Sequence, residues 1–173
     1  MSNNQIQEYD MAVYVEVAKE RIPMEKGFNT RVFNETELKK ESSIFLTREG
    51  TISFAAGLYR ISALSLLSYM VDGIPGKSSD SNNPGDIEPS AGYCAICKVE
   101  EDDQSEEVDM LAIGSMMDYK DNTPSLIDTI MEFEENTLIQ LKHQVGEFVE
   151  NVFLQGNGNR ATHVYARIAI QKL

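Results

Sequence analysis

The chain contains no tryptophan, two cysteines, two histidines and 15 basic residues against 28 acidic ones. Each shortage removes a class of function. Cys94, Cys97, His143 and His163 are the whole supply of sulfur and imidazole ligands. A closed tetrahedral zinc site would have to gather all four from three distant stretches, so no metal site is expected, and no cofactor. A formal net charge of −13 repels polyphosphate, which argues against nucleic-acid binding. No apolar run reaches the roughly 18 residues that span a bilayer, so no membrane insertion is expected. The opening Met1-Ser2-Asn3-Asn4-Gln5 lacks the basic and apolar stretches of a signal peptide, and synthesis in the cytoplasm follows as the expectation.

What the chain does have is 173 residues, 42% of them hydrophobic and 25% charged, the proportions of one globular domain. A chain of this length buries about 70% of its unfolded surface without disulfides or metals. Residues 1–10 carry little apolar pattern and read as an N-terminal arm, with one domain over residues 11–173. Within that domain the periodicity is two. Val13, Val15 and Val17 alternate on one face, and Phe28–Phe33 is a shorter β-like piece. From Ile44 to Tyr69 short apolar segments are punctuated by Gly50 and Gly57, as in a sandwich or barrel.

Residues 72–92 abandon the pattern, with three of the five prolines among Gly, Ser, Asn and Asp, and read as a long surface loop. Tyr93–Val99 is a strand by content, ending in the acidic run Glu100–Glu107, a solvated turn tip. Leu126–Glu135 fits both periods, because Leu126, Ile127, Ile130 and Met131 share a helical face while Ile127, Thr129, Met131 and Phe133 alternate; the strand is preferred. Thr137–Gln144 alternates again. Asn157-Gly158 is the pair that a type I′ turn favours. In the last stretch Val164, Ala166, Ile168 and Ile170 suit a core, while His163, Tyr165, Arg167, Ala169 and Gln171 form the opposite face. The segment Glu35–Glu41 has one apolar anchor, Leu38, and reads as a loop or single turn. The count is eight to ten strands, for which an all-β antiparallel jelly-roll sandwich is the economical architecture.

The run Gly50-Thr51-Ile52-Ser53-Phe54-Ala55-Ala56-Gly57-Leu58-Tyr59-Arg60-Ile61-Ser62 resembles the G-x-F-x-x-x-x-G-x-Y-x-F-S core of the complement globular-head and tumour necrosis factor-like jelly rolls. Phe54 sits two places late. Met131–Leu141 and His163–Ile170 are similar to late strands of the same superfamily, although Glu135-Asn136 stands where its Gly-Asp turn would be, and the usual tryptophan is absent. The resemblance implies a ten-stranded jelly roll that associates as a homotrimer with one sheet facing the threefold axis, and it implies binding rather than catalysis. Tyr14, Tyr59, His163, Tyr165 and Arg167 are then candidate trimer-interface residues, since Tyr and Arg are enriched in buried contact patches; ordinary sheet-surface residues is the alternative.

No reactive constellation competes with this reading. Cys94-Ala95-Ile96-Cys97 has redox spacing, but in a strand positions i and i+3 face opposite ways, so two unconnected structural thiols are expected. The acidic run lacks the Asp-x-Asp-x-Asp-Gly spacing of a calcium loop. No G-x-S-x-G element accompanies His143 or His163, and no catalytic residue is expected. Asn34-Glu35-Thr36 satisfies a glycosylation sequon that would matter only on the secretory route. A jelly-roll trimer without a signal peptide suits a bacteriophage virion, as a capsid decoration, head-fibre or tail-associated protein, with residues 1–10 docking on a capsid, tail or scaffold partner. The alternative is a head that binds a carbohydrate or a receptor through its loops.

Overall fold

Alternating burial generates the long strands. In the computed structural model Tyr59, Ile61, Ala63 and Ser65 are buried at every second position of one strand, and Thr137, Ile139, Leu141, His143 and Val145 do the same in another. The structure describes residues 10–18, 23–40, 43–47, 50–71, 74–75, 92–100, 108–117, 123–145, 152–154 and 163–173. In chain order the strands are β1 (Met11–Ala18), β2 (Gly27–Thr30), β3 (Glu35–Lys40), β4 (Ile44–Leu46), β5 (Ile52–Phe54), β6 (Gly57–Ser65) and β7 (Leu67–Val71). There follow β8 (Ile74–Pro75), β9 (Tyr93–Val99), β10 (Asp109–Ile113), β11 (Ser125–Phe133), β12 (Thr137–Val145), β13 (Val152–Leu154) and β14 (His163–Lys172).

The chain passes back and forth between two sheets, the connectivity of a jelly roll. One main sheet has the order β11-β6-β14-β1-β3 and the other β10-β9-β12-β5-β4 with β2 also on β12, while β13-β7-β8 form a third, three-stranded sheet. Every ladder is antiparallel, and the terminal strand β14 lies between β1 and β6, in the middle of its sheet. Between the sheets sit Ile61, Ile168 and Ile170 from one side and Ile52, Ile96, Ile139 and Leu141 from the other. Phe54, Tyr59 and Phe133 close one end of this core as an aromatic cluster, with ring centroids 5.0 to 5.9 Å apart. A second cluster of Leu67, Met117, Val145 and Tyr165 fills the other end. Gly50 has φ +74°, and a Cβ there would strike the Arg31 carbonyl oxygen, so only glycine lets these two segments cross.

The expected class is therefore observed, with more strands than anticipated because several are only two to five residues long. Two segments depart from expectation. Glu35–Lys40 is a strand, β3, not a loop or single turn: it pairs with β1 at the sheet edge, where every one of its side chains is exposed. A strand with no buried face has no alternation to display, so the period that reveals the others is missing. Gly57–Tyr69, which reads as one run, is two strands separated at Leu66, whose N–H donates to the Tyr165 carbonyl at 3.0 Å. Most of the expected arm (1–10), the long loop (72–92), the acidic tip and the Asn157-Gly158 turn lie outside the described residues; Ile74–Pro75 pairs with β7.

Candidate functional site

Polar chemistry is gathered inside the sandwich. Ser65 Oγ and His143 Nδ1 are 2.7 Å apart, both groups fully buried. Arg31, held beside β12 by its N–H donating to the Leu141 carbonyl (2.8 Å), lies 2.9 Å from the Glu16 carboxylate, with both side chains buried. Burial, reinforced by the Arg31 charge, pushes His143 down to about 3, so its imidazole is neutral at physiological pH. Burial also pushes Glu16 up, with Arg31 pulling it back. Cys94 and Cys97 are free thiols, both buried, with Cys94 in the inter-sheet core; burial raises both, Cys97 to about 11. Thiols held protonated are poor nucleophiles, and a serine–histidine pair enclosed between sheets has no face for a substrate.

The surface tells a different story. On the outer face of the five-stranded sheet, the register aligns Leu64 with Arg167 and Leu126, Ser62 with Ala169 and Asp128, and Arg60 with Gln171 and Ile130. Leu126 is 52% exposed and Ile130 61%, with Leu58 at 41% beside them. At the adjoining edge of the sandwich Ile113 (59%) and Met116 (63%), at the end of β10 and just beyond it, are exposed as well. Two ion pairs sit on the same face. Arg60 holds Asp128 with two bonds (Nε–Oδ1 3.1 Å, Nη2–Oδ2 2.8 Å), and Ser62 Oγ donates to Asp128 Oδ1 at 2.8 Å; together these hold Asp128 down at about 2. Arg167 Nε lies 2.9 Å from Glu37 Oε2. The opposite edge is guarded: β3 is Glu-Thr-Glu-Leu-Lys-Lys, a charged edge that discourages further strand pairing.

Of the five interface candidates the sequence suggests, the structure leaves one at the surface among those whose side chains are described. Tyr14, Tyr59 and Tyr165 are buried within the chain itself, the first two in the main core and the third in the second cluster. They therefore have no side-chain area left to offer a neighbour. Arg167 is exposed on the outer sheet face; the backbone of His163 pairs with Ala18, and its side chain lies outside the described residues. Leu58, Leu126, Ile130, Ile113 and Met116 are the surface residues that sequence reasoning misses. A signal was present in β11: its fit to both periods arises because Leu126 and Ile130 are apolar outside while Ile127 and Phe133 are apolar inside.

No family model matches the sequence, and no curated protein does. Solved structures do match the fold. Crystal structures of murine APRIL at pH 8.0, 8.5 and 5.0 each superpose with a TM-score of 0.56 at 8% identity, covering 95% of this chain and 99% of that one. The likeness, together with the strand order, makes the fold a tumour necrosis factor-like jelly roll.

Proposed function

We propose that the chain is a non-enzymatic interaction module that closes into a homotrimer. The observation that carries the reading is the group of exposed apolar side chains Leu58, Leu126 and Ile130 on the outer sheet face with Ile113 and Met116 at the β10 end of the adjoining edge. Single exposed apolar residues are ordinary, but five of them on one sheet face and the edge beside it, alternating with the Arg60–Asp128 pair, fit a contact surface. An edge packed against a neighbour's sheet face joins two unlike surfaces of the same chain. Such a heterologous contact either closes into a ring or grows into a filament, and a threefold ring is the closure that tumour necrosis factor-like jelly rolls favour. The enclosed, substrate-inaccessible Ser65–His143 pair supports binding over catalysis.

We place this module in a bacteriophage virion, as a capsid decoration, head-fibre or tail-associated protein made in the host cytoplasm, with residues 1–10 as the docking arm. Sedimentation tests both parts. The full chain should sediment as a trimer and co-purify with particles, while a chain lacking residues 1–10 should remain trimeric and be lost from them. Leu126→Asp with Ile130→Asp should give folded monomers, because a charge on this face is desolvated only in the assembly. A trimer that survives that double change contradicts the reading.

A further inference from the structure

The two sheets are pinned at one end of the β10–β11 edge and part at the other. At the pinned end Ser115 N donates to the Leu126 carbonyl (2.9 Å), Leu126 N donates to Ser115 Oγ (3.0 Å), and Ser125 Oγ donates to the Ser115 carbonyl (2.6 Å). Toward the β11–β12 turn the edge opens into a groove of about 640 Å³, within the range of ligand pockets. Its apolar lining is Leu111, Met131 and Phe133 and its acidic lining Glu132, Glu134 and Glu135, with Lys98 and Thr137 also present. Lys98 already has an anionic partner, Glu100 Oε1 at 3.6 Å, so the groove as a whole is negative.

Both parts are held in place by the fold. Phe133 packs at 5.1 Å from Phe54 and 5.9 Å from Tyr59. Leu111 is the extra residue of a bulge: Met110 pairs with Cys97 and Ala112 with Ile96, which leaves Leu111 outside the ladder. Bulges re-aim a side chain, and this one brings a leucine to the groove. The aromatic cluster behind the groove already carries a cation on another side, Lys172 Nζ lying 5.6 Å from the Tyr59 ring centroid.

The geometry points to a docking groove for a basic segment of a partner protein. A lysine or arginine of that segment lays its methylene stem across Leu111 and Met131 and delivers its cation to Glu134 and Glu135. Ionised carboxylates only accept hydrogen bonds, so the occupant must donate them, and a long amphipathic side chain uses the apolar and acidic parts together. A bare metal ion would leave the apolar part unused, and among the described residues no group of three or more His, Cys, Asp or Glu is placed to hold one. Every lining residue comes from one chain, and because Glu132 pairs with Leu58 the segment and a neighbouring copy compete for this edge.

The test is fluorescence anisotropy with a labelled hexapeptide of alternating lysine and leucine, capped at both ends, in about 150 mM salt so that long-range attraction is screened. Glu134→Gln with Glu135→Gln should weaken binding about tenfold or more, as expected for loss of charge-assisted bonds. Leu111→Ser, which leaves the charge unchanged, should also weaken it severalfold. Glu25→Gln with Glu35→Gln removes the same charge from another part of the surface and should have less than about twofold effect. Equal weakening by both double variants would reduce the groove to general acidity and overturn the assignment. So would no binding by the wild-type chain, or calcium binding that the Glu134/Glu135 double change abolishes while peptide binding stays the same.

Discussion

His143 lies buried against Ser65, and its environment makes stability depend on pH in a defined direction. Its pKa falls from an ordinary 6.5 to about 3 in the folded chain, so the unfolded chain takes up a proton that the folded chain refuses. The stabilising contribution is complete above pH 6.5 and is lost as pH falls toward 3. At its limit the loss amounts to roughly 4–5 kcal/mol, from about 1.4 kcal/mol per pKa unit. Urea midpoints at pH 7 and pH 4 should therefore differ by much less in His143→Gln than in the wild type, Gln keeping a polar partner for Ser65. An equal pH dependence in both would remove His143 as its source. The Glu16–Arg31 pair makes a second prediction. Arg31→Met strands a buried carboxylate and should cost on the order of 3–5 kcal/mol, whereas Arg31→Met with Glu16→Leu should recover most of it. A double variant no more stable than the single one would show that the pair is not coupled.

Among the elements, those with one wet and one dry face were the most legible. β6, β12 and β14 display their period in the sequence because burial alternates along each of them, and Ala166, Ile168 and Ile170 are buried as their spacing predicts. β3 was illegible for the converse reason, having no buried face. The candidate interface tyrosines show a different limit. Type alone marks Tyr14, Tyr59 and Tyr165 as contact residues, but contact with a neighbour and contact with the chain's own core leave the same trace in a sequence; only the placement of both sheets assigns these three to the core. Where β11 fits both periods, the ambiguity is itself informative, since two partly apolar faces describe a strand with core on one side and exposed apolar side chains on the other. At this scale Ile168→Ala should destabilise by roughly 2–5 kcal/mol through the cavity it leaves at the centre of β14. Gly50→Ala should cost about 1–3 kcal/mol by forcing a side chain into a left-handed backbone conformation against the Arg31 carbonyl. Thermal unfolding of both variants checks these; a Gly50→Ala midpoint equal to wild type would show that the Arg31–Gly50 crossing relaxes freely.

For the whole molecule, the edges of the sandwich are unequal. The β3 edge presents charge and the β10–β11 edge presents Ile113, Met116, Leu126 and Ile130, which directs the proposed association to one side. With a net charge of −13, copies of the chain repel one another at long range. The proposed self-association must then be driven by burial of these apolar side chains, and it should survive or strengthen as salt screens the repulsion. The ion pairs Arg60–Asp128 and Arg167–Glu37 fit this picture, since each lies on the same face with its charge already matched within one chain. The most direct test is the solution mass by light scattering coupled to size exclusion. The account predicts three times 19.4 kDa, unchanged or more populated at high salt. A folded monomer at all concentrations would contradict it.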